Sequence, residues 1–423
     1  MAGLVIVADD LSGAADCGIV CTQAGLDTLV ILGDRTDVPD VAVLSIDADT
    51  RGRPEAEAVA VVAALTRRHG GPERLLFKKL DSTLRGHVGA ELAAMLRTRR
   101  ESGPAFIVMA PAFPATGRST VGGMQLLHGT PLQDTEIWQR EAMMHRAHVP
   151  EMLERAGLRT AQLDLDTVRG GGLARALADA ALAHDAVVCD AAAEDDLRAI
   201  AVAGMSLGRG TIWAGSAGLA RYLPEAAGLT GNGGDAAAMA GLPAAEGPIL
   251  FVVGSLSGVS RAQVSRLAAA DGIALVSVPP AVLRTGPGDP GWLAQEAALE
   301  AALGSGRDVV ALIGSEAQAT LSEGLALCHA LARLVAPHAG RIGALVSTGG
   351  ETARAVLQAF GSGGLHLVGE IEPGVPLSHT EGGRRLPVVT KAGAFGHPDT
   401  LLRCRAVLRA GSSSSPLPME RSA

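Results

Sequence analysis

The sequence has few cysteines and no long apolar segment. No apolar run approaches the roughly 20 residues that a membrane-spanning helix needs. The first residues enter a short apolar strand rather than a basic segment followed by the apolar core of a signal peptide. The five cysteines are odd in number and scattered, unlike a disulfide framework: Cys17, Cys21, Cys189, Cys328 and Cys404. We therefore expect a cytoplasmic protein without a membrane partner.

Positive charge is also scarce. The formal net charge is -8, which argues against a nucleic-acid partner because such binding needs a basic surface. A local pocket can still hold a small anion. Only three of the 36 lysine and arginine residues are lysines, namely Lys78, Lys79 and Lys391. Because arginine serves everywhere else, these three positions are candidates for a specific need for an ammonium group, although three residues can also fall there by chance.

Several cofactor motifs are absent. The sequence contains no GxxxxGK[ST] segment, which excludes a Walker-type nucleotide site, and no GxGxxG after a strand, which disfavours a dinucleotide-dependent dehydrogenase. The histidines lack the HExxH spacing of zinc enzymes, so we expect no catalytic zinc, and the ligands of any other metal stay undefined. Asp9 and Asp10 are adjacent, whereas phosphatases with an aspartyl nucleophile usually carry two carboxylates two positions apart.

Short apolar runs recur along the chain and alternate with helical stretches rich in Ala, Leu, Arg and Glu. This alternation predicts an α/β protein with mostly parallel sheets. The runs lie at 3–8, 28–33, 41–47, 75–80, 105–111, 186–190, 211–214, 249–255, 308–315, 341–350, 365–371 and 386–393.

The length of 423 residues exceeds what one hydrophobic core normally supports, so we expect two α/β domains. Near residue 225 the alternation gives way to sequence rich in Gly, Ala and Pro, which is typical of a linker. We place the first domain at 1–228, the linker at 229–248 and the second domain at 249–410. The polar segment 411–423 is predicted to be a disordered tail.

The segment "VIVADDLSGAADCG" places Asp9 and Asp10 directly after a buried strand. In open α/β sheets, ligands bind at the carboxyl ends of the strands, and the small residues that follow would admit one. The alternative is structural, because Asp10 or Ser12 can cap the helix that follows.

The segment "FKKLDSTLRGHVGAEL" leads from a strand into a helix predicted to begin near Val88. Cations, hydroxyls and backbone amides near a helix N-terminus suit a carboxylate or a phosphate. A capped helix with solvated charges is the alternative. The polar side chains concentrated here are Lys78, Lys79, Asp81, Ser82, Thr83 and Arg85.

Two further segments of the first half carry arginines after strands. In "APAFPATGRSTVGG", prolines order the loop before Arg118, whose guanidinium could clamp a carboxylate with two hydrogen bonds. A structural turn with a surface arginine is equally compatible with this segment. The segment "DADTR" supplies Arg51 with the same ambiguity.

The second half contains three loops of small residues at strand ends: "VVGSLSGVSRAQ", "STGGETARAV" and "KAGAFGHPDTL". Exposed amides and the helix dipole at such turns favour a phosphate group. One Gly-Gly pair alone is more often a simple turn, but three such loops in one domain predict a phosphate-bearing ligand.

Together these segments resemble the four-carbon acid sugar kinase family, whose members phosphorylate threonate, erythronate or 3-oxo-tetronate with ATP. The resemblance runs through nearly the whole chain and includes "WAGSAGLARYL" and "EIEPGVPLS". It implies an N-terminal acid-sugar domain and a C-terminal nucleotide domain facing each other across a cleft.

The resemblance also implies site residues. For the acid sugar they are Asp9 or Asp10, Arg51 and the segment Asp81, Ser82, Thr83 and Leu84. For ATP they are Ser255, Gly349, Gly350, Glu351, Thr352, Gly393, Ala394, Phe395 and Gly396.

The expected reaction is transfer of the terminal phosphoryl group of ATP to the terminal hydroxyl of a four-carbon acid sugar, giving the 4-phosphate. We expect Asp9 or Asp10 to orient or deprotonate that hydroxyl. Arg51, Lys78 and Arg118 are the candidates for holding the substrate carboxylate or the transferred group. Mg²⁺ would bridge the ATP oxygens.

The loop "DSTLRG" differs from that of 3-oxo-tetronate kinases, which favours D-threonate or D-erythronate. Ser12 stands where the family usually has Thr, and His87 where Asn is common, so 3-oxo-tetronate or a longer aldonate stays an alternative. A non-catalytic sensor of acid sugar and nucleotide, and a phosphatase or aldolase acting on a related sugar acid phosphate, are more remote alternatives. A homodimer is compatible with the sequence.

Overall fold

The computed structural model describes residues 3–140, 146–229, 231, 244–255, 257–315 and 323–411. The chain divides into two compact units, Met1–Asn232 and Gly233–Ala423. Most of the predicted linker 229–248 and nearly all of the predicted tail 411–423 lie outside the described residues. Within the described part, no helix is both long and apolar enough to cross a membrane.

The first unit is built on one parallel sheet in the order β2-β3-β1-β4-β11-β5-β10-β9. Every neighbouring pair in this order is parallel. The strands are β1 (Leu4–Ala8), β2 (Thr28–Leu32), β3 (Val43–Asp47), β4 (Leu75–Lys79), β5 (Phe106–Ala110), β9 (Thr160–Leu163), β10 (Ala186–Cys189) and β11 (Thr211–Gly215).

The helices of the first unit follow these strands along the chain. α2 shows why such segments are helical, because its first turn carries Glu55 and Glu57 and its last turn carries basic residues that complement the helix dipole. The helices are α1 (Leu11–Gln23), α2 (Glu55–His69), α3 (Val88–Arg100), α4 (Glu136–Arg140), α5 (Val149–Arg155), α6 (Leu165–Arg169), α7 (Leu173–Ala183), α8 (Glu194–Gly204), α9 (Ala217–Ala220) and α10 (Leu223–Ala226).

A small antiparallel sheet follows β5 and was not predicted. It consists of β6 (Arg118–Val121), β7 (Met124–Leu127) and β8 (Thr130–Pro131). Gly122 and Gly123 form the turn between β6 and β7 with φ of +60° and +72°, a conformation that glycine adopts without steric cost. Both turn amides donate to the carboxylate of Asp190, at 2.6 and 2.9 Å. The segment containing Arg118 is therefore an anchored hairpin.

The second unit has its own sheet in the order β13-β14-β12-β15-β18-β17-β16. Its strands are parallel except for β17, which runs antiparallel to β16 and β18. The mostly parallel α/β architecture is thus confirmed. The strands are β12 (Ile249–Val253), β13 (Ile273–Val278), β14 (Asp308–Ile313), β15 (Ala344–Thr348), β16 (Gly364–Glu370), β17 (Pro376–Thr380) and β18 (Pro387–Lys391).

The helices of the second unit are α11 (Gly258–Ala268), α12 (Pro280–Thr285), α13 (Pro290–Gly304), α14 (Gly324–Val335), α15 (Gly350–Ala359) and α16 (Thr400–Ala410). One buried carboxylate connects three elements of this unit. Asp308, at the start of β14, accepts from the backbone N–H of Ile249 at 2.8 Å and from Arg405 Nε at 2.7 Å, and it also pairs with Arg409. Asp308 therefore ties β12 and β14 to α16.

Replacement of this carboxylate should destabilise the second unit strongly. Asp308→Ala removes the counter-ion of two arginines and the acceptor of a strand amide, so we expect a loss of about 3–5 kcal/mol in the free energy of unfolding. Urea denaturation followed by circular dichroism measures the loss. The control is Glu101→Gln, which removes an exposed partner of Arg67 and should leave the midpoint near that of the parent. Equal midpoints for both variants would contradict the assigned role.

Candidate active site

Asp9 and Asp10 follow the last residue of β1, and α1 begins at Leu11. Asp10 is the N-cap of α1, and its Oδ1 accepts from the N–H of Gly13 at 2.7 Å. The capping interpretation of this segment is therefore confirmed for Asp10. The cap uses only one carboxylate oxygen, which leaves the second for other contacts.

Arg51, after β3, gathers the carboxylates of the neighbouring strand ends. Its Nε donates to Asp9 Oδ2 at 2.7 Å and its Nη1 to Asp10 Oδ2 at 2.6 Å. Its Nη2 lies 3.8 Å from Asp81 Oδ1. Burial opposes its charge, but the three carboxylates raise the pKa of Arg51 well above its ordinary value. Arg51 is thus paired with protein carboxylates. The structure therefore does not support the expected direct contact between Arg51 and the substrate carboxylate.

The loop after β4 is ordered around Asp81. Arg85 donates to this carboxylate through Nε at 2.7 Å and Nη2 at 3.0 Å, and the Thr83 hydroxyl donates to it as well. Despite burial, these groups and Arg51 hold the pKa of Asp81 far below its usual range. Leu84 has φ of +58° and packs in the hydrophobic core, so it offers a ligand only its backbone.

The β6–β7 hairpin supports the same loop from one side. The buried Gln125 of β7 donates through Nε2 to the carbonyl oxygen of Ser82 at 3.3 Å, and its Oε1 accepts from the Thr120 hydroxyl at 2.8 Å. The hairpin therefore fixes Arg118 relative to the Asp81 loop. Burial lowers the pKa of Arg118 and Asp81 opposes that shift.

Lys78 and Lys79 point to opposite faces of the sheet because side chains alternate along a strand. Lys78 has no exposed surface, and its Nζ lies 2.7 Å from Glu91 Oε2. The structure therefore does not bring Lys78 to the open side of the loops, as a substrate contact requires. Although burial acts to lower it, neighbouring acidic groups that include Asp9 and Asp10 raise the pKa of Lys79. The acidic groups near α1 therefore favour the charged form of Lys79.

The three small-residue loops of the second unit meet around residue 393. Ser257 Oγ and Ser260 Oγ donate to the carbonyl oxygen of Gly393 at 2.6 and 2.7 Å. The N–H of Gly349 donates to the carbonyl oxygen of Lys391 at 2.8 Å. The loops that follow β12, β15 and β18 are therefore joined, and this grouping includes the predicted Ser255, Gly349 and Gly393.

The predicted nucleotide residues differ in accessibility. Gly349 precedes α15 without a side-chain cap, Glu351 is exposed in the first turn, and Gly350 is half-buried. Ala394, Phe395 and Gly396 form an exposed loop. Thr352 is buried, with its Oγ1 3.2 Å from Cys328 Sγ, so its side chain supports the turn instead of facing a ligand. Burial also lowers the pKa of Lys391 to about 8.

The two units match two models of protein domains. Residues 4–223 match a sugar-binding N-terminal domain, and residues 250–401 match a nucleotide-binding C-terminal domain. The chain belongs to the four-carbon acid sugar kinase family. As a member of this family it is a sugar-acid kinase.

Relatives cover nearly the whole chain. A D-threonate kinase of Cupriavidus necator is 44% identical, over 93% of this chain and 94% of its own length. A D-threonate kinase of Bordetella bronchiseptica is 34% identical, over 96% of this chain and 97% of its own. A 3-oxo-tetronate kinase of Cupriavidus necator is 31% identical, over 93% of this chain and 94% of its own.

Solved structures share the fold of this acid sugar kinase. The Haemophilus influenzae protein HI1011 matches with a TM-score of 0.74 and 21% identity, over 96% of this chain and 100% of its own. A Salmonella typhimurium protein matches with a TM-score of 0.79 and 22% identity, over 96% of this chain and 99% of its own. At this level of identity the likeness concerns the fold alone.

Several residues of the site were not predicted from the sequence. They are Glu91, Gln125, Ser257 and Ser260. The position of Lys79 on the side of α1 was not predicted either. The two serines had a signal, because they stand at the start of a helix within "GSLSGVS". Strand alternation could have separated Lys78 from Lys79. Nothing local to Glu91 or Gln125 indicates their partners, which are distant in the chain.

A methyl group at residue 393 should weaken nucleotide binding. In Gly393→Ala the new Cβ would lie against the Ser255 hydroxyl and 2.7 Å from Ser255 Cβ, so the joined loops must move. Overpacking of this kind costs about 1–3 kcal/mol, and a loss of that size in the binding free energy is about 5- to 150-fold in ATP affinity. Isothermal titration calorimetry with ATP measures this affinity. The control is Gly304→Ala, whose Cβ meets nothing within 4 Å. Unchanged affinity in folded Gly393→Ala would argue against this nucleotide site.

Proposed function

We propose that this enzyme transfers the terminal phosphoryl group of ATP to the primary hydroxyl of D-threonate, giving the 4-phosphate and ADP. D-erythronate is the second candidate, and 3-oxo-tetronate or a longer aldonate is the alternative. The observation that carries the proposal is the half-buried Arg118, whose Nε has no acceptor in the described part of the chain and whose neighbour Asp81 is already paired with Arg85 and Arg51. The 44% identity to a D-threonate kinase supports the choice of substrate.

Arg118 has the properties required to bind the substrate carboxylate. Its Nη1 donates to the carbonyl oxygen of Thr116 at 2.7 Å. Its Nε is buried and donates to no acceptor in the described part of the chain. A buried donor without an acceptor is costly, and a planar guanidinium matches a carboxylate with two parallel hydrogen bonds. A tetronate carboxylate would satisfy both the charge and the free N–H.

Asp10 is the better placed of the two adjacent carboxylates to contact the hydroxyl. Its side chain is 19% exposed, against 5% for that of Asp9. Phosphoryl transfer passes through a loose transition state that depends mainly on positioning, so an ion-paired carboxylate is sufficient to orient the hydroxyl and accept its proton. Asp9 lies deeper and holds Arg51, and Arg51 in turn holds Asp10.

The second unit suits the phosphates of ATP. The uncapped amides at the start of α15 offer backbone donors, and the loop at 394–396 is exposed. Mg²⁺ would neutralise charge on the phosphate oxygens when bound. Among the described residues there is no group of three or more His, Cys, Asp or Glu side chains that could hold a metal. This fits an ion held chiefly by the nucleotide.

The proposed reaction places the enzyme in the cytoplasm, where ATP is available, and a homodimer stays a prediction. Release of ADP from ATP and Mg²⁺ tests the function across D-threonate, D-erythronate, their L-forms and 3-oxo-tetronate. We expect the fastest turnover with D-threonate. Preference for another tetronate would correct the substrate. No turnover on the panel, with ATP still bound, would contradict the proposal and direct the search to longer aldonates.

Substitution of the adjacent carboxylates should separate their roles. Asp10→Asn can still cap α1 but cannot accept a proton, so we expect kcat to fall about 100-fold or more with ATP affinity retained. Asp9→Asn loosens Arg51, which should raise KM for the acid sugar as well as lower kcat. Steady-state kinetics and ATP titration of both variants test this. Full activity in both variants would show that neither carboxylate takes part.

A further inference from the structure

Lys78 and Glu91 form a buried ion pair in the first unit. Lys78 Nζ is 2.7 Å from Glu91 Oε2, and the two side chains are 0% and 2% exposed. Removal of two charges from water costs several kcal/mol per ion, and a well-packed apolar pair is often equally stable. Stability alone therefore does not explain the presence of this pair.

The strand register places Lys78 on the same face of the sheet as Asp9. Val7 of β1 pairs with Lys78 of β4. Because side chains alternate, Asp9, two residues beyond Val7, continues on the face to which Lys78 points. Glu91 reaches Lys78 from α3, whose apolar residues pack on that same face. The Lys78 side chain therefore extends from the sheet toward α3, on the face that also carries Asp9, and Glu91 meets its ammonium there.

Asp9 is a carboxylate that needs nearby positive charge. Its Oδ2 accepts from Arg51, whereas its Oδ1 is buried and accepts no hydrogen bond within the described ranges. Burial acts to raise the pKa of Asp9, but Arg51, then Lys78, then Lys79 bring it below the ordinary value. A neutral Asp9 would lose its ion pair with Arg51, the residue that also holds Asp10.

We propose that Lys78 and Glu91 form a positioning pair that keeps Asp9 ionised and thereby holds Arg51 against Asp10. Glu91 holds the ammonium of Lys78 in place, with its Oε2 2.7 Å from Nζ. Lys78 therefore acts on the reaction through Asp9 and Arg51, without touching the substrate. Only the kinetic consequences of this inference rest on the proposed function.

Other charged and titratable groups also face Asp9. Arg51, Lys78, Lys79 and Cys17 act on Asp9 directly. Asp10 and Asp81 share Arg51 with Asp9, and Glu91 pairs with Lys78. The test must therefore change the buried pair and leave the remaining groups in place.

Two variants distinguish the effect of the Lys78 charge on Asp9 from the effect of the whole ion pair. Lys78→Met with Glu91→Leu removes both charges and fills the space with apolar atoms, as buried pairs tolerate. Glu91→Gln removes only the anion and leaves Lys78 acting on Asp9. We expect Asp9 to titrate at a pH higher by about one unit or more in the double variant. In Glu91→Gln it should titrate at or below the pH of the parent.

Carboxyl ¹³C NMR of aspartate-labelled protein measures this titration without turnover, and the Asp9 signal is identified by its loss in Asp9→Asn. If the apolar double variant does not fold, Lys78→Gln with Glu91→Gln replaces it, since two amides can hydrogen-bond to each other. Unchanged titration of Asp9 in the folded double variant overturns the inference. A shift to higher pH in Glu91→Gln overturns it as well.

Kinetics provide the second readout. Loss of activity on the acid side of the kcat/KM profile should move to higher pH in the double variant, because a larger fraction of Asp9 is then neutral at each pH. ATP affinity should not change. If the parent is inactive on every tetronate but Asp9 titrates as expected, the proposed function fails and this inference stands. If the parent is active but Asp9 titrates alike in all variants, this inference fails and the function stands.

Discussion

The guanidinium of Arg51 is the group on which the first unit's site depends. Asp9 and Asp10 leave β1 and Asp81 leaves the adjacent β4, so the parallel order β3-β1-β4 brings three carboxylates to one edge of the sheet. Three like charges at one edge of the sheet repel one another unless a cation lies among them. Arg51, in the loop after β3, pairs with Asp9 and Asp10 and lies near Asp81, and the parallel order places the arginine among them.

The two units provide different chemistry at the same kind of sheet edge. In the first unit, three carboxylates converge on Arg51, and Arg118 has a buried Nε without an acceptor among the described residues. In the second unit, loops of small residues are tied together by serine hydroxyls and backbone carbonyls. A short polyhydroxy acid needs specific charges and hydrogen-bonding groups, whereas phosphates are well served by backbone amides at a helix start.

Much of the architecture could be predicted because buried parallel strands are nearly continuous apolar runs. The runs at 3–8, 75–80 and 249–255 correspond to β1, β4 and β12 within two residues at each end. The hairpin after β5 could not be predicted in the same way. Its strands are four residues or shorter and only partly buried, and its position depends on Asp190, which lies nearly 70 residues further along the chain. The reversed direction of β17 is likewise a matter of strand pairing, which local composition does not encode.

The α/β class, the candidate loops and the family can be read from the chain alone, because apolar periodicity and ordered motifs are local properties. What each side chain in those loops does depends on the tertiary structure. It buried Lys78 with Glu91, paired Arg51 with three protein carboxylates and left Arg118 Nε without an acceptor among the residues that the structure describes. These assignments depend on charges contributed by strands and helices distant in sequence. Whether a charged residue meets a partner or a ligand is therefore settled only when the sheet has assembled.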